Sequence, residues 1–92
     1  MAMAYVLIKT SPGHARDVYY RSNYLDEICE AHPLVGEYDL IFKVKADNSE
    51  TIGYIIEDKI KKLDDIISTE TLPVTDFINN GKKLRKTIIK RI

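Results

Sequence analysis

Residues 35–45 read Val-Gly-Glu-Tyr-Asp-Leu-Ile-Phe-Lys-Val-Lys, a turn signal that runs directly into an alternating apolar stretch. Leu40, Phe42 and Val44 recur every second residue, so they share one face of an extended strand while Ile41 and Lys43 share the other. Gly36 supplies the positive φ that tight hairpin turns require, which predicts a turn over residues 36–38 and another strand before it. That strand reads Ile-Cys-Glu-Ala-His-Pro-Leu-Val over residues 28–35. Pro33 has no N–H to give to a ladder, so the strand is predicted at a sheet edge.

Outward from this hairpin the elements alternate. Residues 4–9, Ala-Tyr-Val-Leu-Ile-Lys, form a nearly continuous apolar run that suits a strand covered on both faces. Thr10-Ser11-Pro12-Gly13 carries helix-start chemistry, with Ser11 as a hydroxyl cap and Pro12 in the first turn. Ala15, Val18, Tyr19, Ser22 and Leu25 follow at three- and four-residue spacing, predicting a helix from about 13 to 26 with one buried face. Beyond the hairpin, Asn48 or Ser49 caps a second helix whose Ile52, Ile55, Ile56, Ile60 and Leu63 keep the helical period. Residues 66–74, Ile-Ile-Ser-Thr-Glu-Thr-Leu-Pro-Val, form a fourth strand, and Pro73 again argues for an edge. Two split βαβ units with right-handed crossovers then give an α+β, ferredoxin-like βαββαβ fold of the dimeric α/β-barrel type. Its four-stranded antiparallel sheet carries both helices on one face, with the first and third strands central.

Ninety-two residues amount to one domain, predicted here as residues 1–75 followed by a basic tail over 76–92. Acids and bases are equal in number, 14 each, yet the strong basic clusters lie beyond residue 80, leaving an acidic body. The lone cysteine, Cys29, excludes an internal disulfide framework and fits a reducing compartment, so cytoplasm is expected. No run approaches the roughly 20 apolar residues of a membrane span, and the first residues lack signal-peptide order. Cys29 and His32 are too few for a closed metal site, so no metal and no cofactor is expected. Two helices cover only one sheet face, while Tyr5, Leu7 and Ile41 make the other too apolar for water. A symmetric dimer packed sheet against sheet is the expectation, and a tail folded under the sheet is the alternative.

At this point a resemblance enters. The opening Ala4-Tyr5-Val6-Leu7-Ile8, the Ser-Pro-Gly at 11–13, Gly36-Glu37-Tyr38-Asp39 leading into Leu40-Ile41, and Ile67-Ser68-Thr69-Glu70-Thr71 together resemble the effector-binding (RAM) domain of the Lrp/AsnC transcription regulators over about residues 4–74. The resemblance implies dimers that pair through their sheets, assembly into octameric or similar rings, and an amino acid bound between neighbouring dimers. It also implies Lrp/AsnC-type regulators as partners. The first strand begins too early for the family's helix-turn-helix domain to precede it here, so a stand-alone effector domain is expected, without DNA binding by that route.

An α-amino acid presents an ammonium and a carboxylate on one carbon. Asp39 offers an acceptor for the first, and backbone N–H groups around Gly36 and Glu37 offer donors for the second, because a glycine turn lets the backbone come close to a ligand. Tyr38 adjoins them. Ser68, Thr69 and Thr71 would line a neighbouring wall with hydroxyls, across subunits rather than within one, since the fourth strand is expected far from the hairpin. The plainer reading of Asp39 is a solvated turn residue, and of the Ser-Thr-Glu-Thr run, ordinary edge-strand composition.

The tail poses a second question. Leu84, Ile88, Ile89 and Ile92 form one stripe of a predicted helix, with Lys82, Lys83, Arg85, Lys86, Lys90 and Arg91 around it. Packing within the oligomer and binding of nucleic-acid phosphates both fit such a segment, and a ring would multiply the second by avidity. An enzyme fits poorly: no nucleophile–base pair, metal set or cofactor loop is apparent.

Overall fold

A computed structural model describes the backbone of residues 1–79 and 82–89 and the side-chain surroundings of residues 1–75. The chain runs β1 (Ala2–Thr10), α1 (Ala15–Ser22), β2 (Ile28–Pro33), β3 (Leu40–Ala46), α2 (Ser49–Ile55), β4 (Ile66–Asn79) and β5 (Lys82–Ile89). The sheet order is β2-β3-β1-β4-β5, antiparallel throughout. Its first four strands are the expected ferredoxin-like sheet, with β1 and β3 in the middle.

Alternation along the strands decides where the core lies. Ala4, Val6 and Ile8 stand opposite Val44, Phe42 and Leu40 in the β1–β3 register, and all six are buried beneath the helices. Val18 of α1 and Ile52 and Ile55 of α2 close over them. Asn48 caps α2 as expected, its Oδ1 accepting the Thr51 N–H at 2.8 Å. The helix then widens into a π-helical turn over Ile56–Ile60, where the Lys61 N–H reaches back to the Ile56 carbonyl at 2.9 Å. That turn keeps Ile56 and Ile60 in the core.

Three local expectations are corrected. Ser11 does not cap α1. The His14 N–H donates to the Ser11 carbonyl at 3.0 Å and Gly13 sits at φ 82°, the geometry of a type II turn, so α1 begins only at Ala15. The 36–38 turn is not a tight hairpin either. Pro33 has no N–H to extend the ladder, and the chain opens into a loop over 34–39, closed where the Leu34 N–H donates to the Asp39 carbonyl at 2.9 Å. Gly36 does take the positive φ, at 131°.

The tail is the third correction, since residues 82–89 are a strand and not a helix. The ladder between β1 and β4 ends at Ala4–Pro73, and the ladder between β4 and β5 begins at Val74–Ile89, so β4 changes partner at its proline. Pro73 thus ends an edge segment instead of defining an edge strand. Pairing of Asn79 with Lys82 leaves two residues between the strands. Asn80-Gly81 is a strong hairpin dipeptide, and Thr87, Ile88 and Ile89 are β-branched, so local chemistry agrees with the pairing. The expected domain boundary at residue 75 falls inside β4.

One ion pair ties the layers together. Lys59, in the π-helical turn, donates to Glu27 just before β2, and this hydrogen bond is the main cause that holds the Glu27 carboxyl below its ordinary 4.5. A carboxyl lowered by folding stabilises the fold fully above its unfolded value, and that contribution fades as pH falls through the folded one. Stability measured by urea unfolding is therefore expected to fall on acidification below about pH 4.5, and part of that fall should vanish in Glu27→Gln.

Candidate functional site

The expected site residues are placed by β1, which carries its neighbours to one end of the sheet. Asp39, at the entry to β3, spends its backbone on β1: its N–H donates to the Ile8 carbonyl at 2.8 Å. Its carboxylate follows, Oδ2 accepting the Thr10 N–H at 2.8 Å and the Thr10 hydroxyl at 3.1 Å. Thr10 is buried, so without this acceptor its polar groups would lose their partner. Asp39 therefore has a structural duty, with one oxygen committed. Its Oδ1 accepts no hydrogen bond from the described residues.

A cleft of about 550 Å³ opens beside it, lined by Gly36, Glu37 and Asp39 on one side and by Lys9, Ser11, Gly13 and Arg16 on the other. The 34–39 loop forms the first wall and the type II turn with the start of α1 forms the second. Both glycines have positive φ, so both walls expose backbone without a side chain in the way. Lys9, Arg16 and Glu37 are exposed and make no ion pair among the described residues. Uncompensated charge of both signs thus meets at one cleft.

Of the expected residues, Gly36, Glu37 and Asp39 come together there, while Tyr38 is not among the lining residues. Thr69 and Thr71 stand opposite Ile8 and Val6, on the helix side of the sheet, whereas Ser68 stands opposite Lys9 on the open side. Thr71 lines a groove between α2 and β4, and Ser68 and Thr69 line another beside Lys61. The three do not share a cavity with the 34–39 loop. Nor is β4 far from that loop, because only β1 lies between β3 and β4, roughly 10 Å at two strand spacings. Lys82, Lys83, Arg85 and Lys86 belong to β5, and Lys90 and Arg91 lie outside the described residues.

Lys9 and Arg16 escaped the sequence reading. Pro12-Gly13 is a turn signal in its own right. Read so, it would have started α1 after Gly13, although the approach of Arg16 to the glycine loop leaves no signal in the sequence. Cys29 and His32 stand apart in chemistry: the Cys29 thiol donates to the Lys43 carbonyl at 3.3 Å, and His32 Nε2 lies 3.2 Å from Glu30 Oε1. Among the described residues no group of three His, Cys, Asp or Glu side chains is placed to hold a metal. No described helix is long and apolar enough to cross a membrane.

The open side of the sheet is the other surface of note. Tyr5, Leu7, Ile41 and Leu72 lie there half-buried, related by the Leu7–Ile41 and Tyr5–Leu72 pairings. Charge flanks them. Lys43 Nζ lies 3.0 Å from Glu30 Oε2, and this pair raises the lysine and, with help from His32, lowers the glutamate.

Comparison with known proteins agrees with the fold. The family model of the Lrp/AsnC ligand binding domain matches residues 3–84. An uncharacterised HTH-type transcriptional regulator of Pyrococcus horikoshii is 33% identical over 72 residues, covering 75% of this chain and 48% of that protein. A solved hypothetical protein, also from Pyrococcus horikoshii, is 32% identical with a TM-score of 0.75, covering 87% of this chain and 94% of that one. The structure of Escherichia coli AsnC superposes with a TM-score of 0.74 at 26% identity, over 92% of this chain and 55% of that one. The chain spans about half the length of the Pyrococcus regulators it matches, 48% and 52% for two of them. On the strength of the matched residues and the βαββαβ core they build, the chain belongs to the Lrp/AsnC ligand-binding domain family.

Proposed function

We propose that this domain binds a free α-amino acid in the cleft between the 34–39 loop and the start of α1. In this reading it assembles sheet to sheet into dimers and then a ring, and acts without catalysis as an effector module for Lrp/AsnC-type regulators. The carrying observation is the cleft's unpaired charge: Lys9 and Arg16 facing Glu37 and the unused Oδ1 of Asp39. Arg16 suits the ligand carboxylate because a guanidinium offers two parallel N–H donors, and the acids suit its ammonium. Ser68, Thr69 and Thr71 enter this reading as a wall supplied by another copy in the ring. Self-assembly is supported by the apolar centre of the open sheet face.

Isothermal titration of the full chain against the standard amino acids tests the reading. Arg16→Ala removes an exposed, unpaired side chain, so it should leave the fold intact and weaken binding by roughly 10- to 100-fold, the worth of a charge-assisted hydrogen bond. Asp39→Ala should lower affinity and stability together, because Thr10 loses its acceptor. Absence of binding at millimolar concentration, or unchanged affinity in Arg16→Ala, rejects the proposal.

A further inference from the structure

The cleft continues past Arg16. A second cavity of about 460 Å³ shares Ala15 and Arg16 with it and is otherwise lined by Tyr19, Tyr20, Pro33 and Leu40. Its character is different. The first cleft is rimmed by charge, whereas this one offers two tyrosine rings, a proline and the side of a core leucine. The rings meet edge to face, with centroids 5.6 Å apart and planes at 77°, so Tyr19, itself half-buried, braces Tyr20. Tyr20 nevertheless stays 58% exposed, and Leu34 and Val35, the next residues after Pro33, are exposed at 37% and 106%. A large ring left facing solvent in the wall of a cavity, with two exposed apolar residues following Pro33 in the chain, is a costly arrangement for an isolated surface.

We infer that this cavity is the side-chain subsite of the same effector site, and that it selects α-amino acids with a large apolar side chain, aromatic ones foremost. The inference rests on the amino-acid reading of the cleft. Arg16 stands at the junction, so a carboxylate held there leaves the α-carbon substituent pointing either back toward the charged cleft or on toward the tyrosines. An apolar substituent is driven the second way by burial against Tyr20, Pro33 and Leu40, and an aromatic one also gains ring-on-ring contact. A polar or charged substituent finds only the Tyr19 and Tyr20 hydroxyls, since Arg16 is engaged by the carboxylate, while Ala15, Pro33 and Leu40 offer no partner, so it recovers less of the hydration it loses. Arg16 lines both cavities, so its guanidinium is also within reach of a cation–π contact with an aromatic ligand.

The experiment is a comparative titration of the full chain with L-phenylalanine, L-leucine, L-alanine and L-asparagine, repeated on Tyr20→Ala and Tyr20→Phe. Tyr20 is exposed, so neither variant should disturb the core, and a thermal melt confirms it. The expected result is a preference for phenylalanine over alanine of about tenfold or more. That preference should collapse in Tyr20→Ala and survive in Tyr20→Phe. Binding of alanine or asparagine as tightly as phenylalanine, or a phenylalanine preference untouched in Tyr20→Ala, overturns the subsite while leaving the amino-acid reading in place. Binding of none of the standard amino acids overturns both.

Discussion

Phe42→Ala is expected to lower the free energy of unfolding by about 3–5 kcal/mol, the range for deleting a buried aromatic ring. Phe42 has no solvent exposure and sits in the central strand β3, opposite Val6 of β1 and Ala31 of β2. The sheet cannot close around the loss, because both neighbouring strands are held by their own ladders and the helices above rest on the same layer. A domain of 92 residues has a total stability on the order of 5–15 kcal/mol, so the variant should lose a large share of it. At about 4–8 °C per kcal/mol its melting temperature should fall by roughly 15 °C or more. Urea unfolding at one fixed protein concentration measures the change, with Ile67→Ala as comparison. Ile67 is 59% exposed, and its replacement should stay within about 0.5 kcal/mol. A loss below about 1 kcal/mol at Phe42 would show that the core is centred elsewhere.

On the proposed sheet-to-sheet pairing, Leu7→Asp should abolish self-association while leaving the fold standing. Leu7 occupies the middle of the open sheet face, opposite Ile41 on one side and Glu70 on the other, and is only half-buried within one copy. In a lone domain the new carboxylate reaches water, at a cost of about 1 kcal/mol for aspartate in a strand. Between two packed sheets it would be buried without a counter-ion, which costs several kcal/mol. It also meets its own symmetry mate, since each partner of an isologous pair presents the same patch. Roughly 4 kcal/mol corresponds to about a thousandfold loss of dimer affinity. Light scattering should therefore report one chain where the parent protein reports an assembly, with the circular dichroism spectrum retained. A variant that assembles like the parent would remove the open face from the interface and require another surface.

The two variants separate what one strand does on its two sides. Alternation was legible in residues 40–45 because burial on one side of a strand imposes a period of two. The same physics made the helix faces legible, as Val18, Ile52, Ile55 and Ile60 are buried where the three- and four-residue spacing placed them. Pro33 was informative for a local reason: a residue without an N–H does not fit a strand paired on both sides, and β2 pairs with β3 alone.

The tail shows where periodicity stops deciding. Leu84, Ile88 and Ile89 fit a helical stripe, yet short apolar runs fit strands equally well, and what decided was the second half of β4 offering unpaired backbone groups alongside. Asn80-Gly81 carried the hairpin signal, but a dipeptide cannot say whether two strands on either side will find each other.

What the sequence by itself determined is the βαββαβ core, its elements in order and the side of each that turns inward, because hydrophobic burial leaves a local, periodic record; the closing strand β5 is not among them. What only the tertiary structure decided is company across the chain. Asp39 is bound to Thr10, 29 positions away, and Arg16 is carried beside Gly36, because sheet order and register place the end of β1 between the two loops. Such meetings leave no periodic trace, since they depend on where buried N–H groups far apart in sequence find their acceptors.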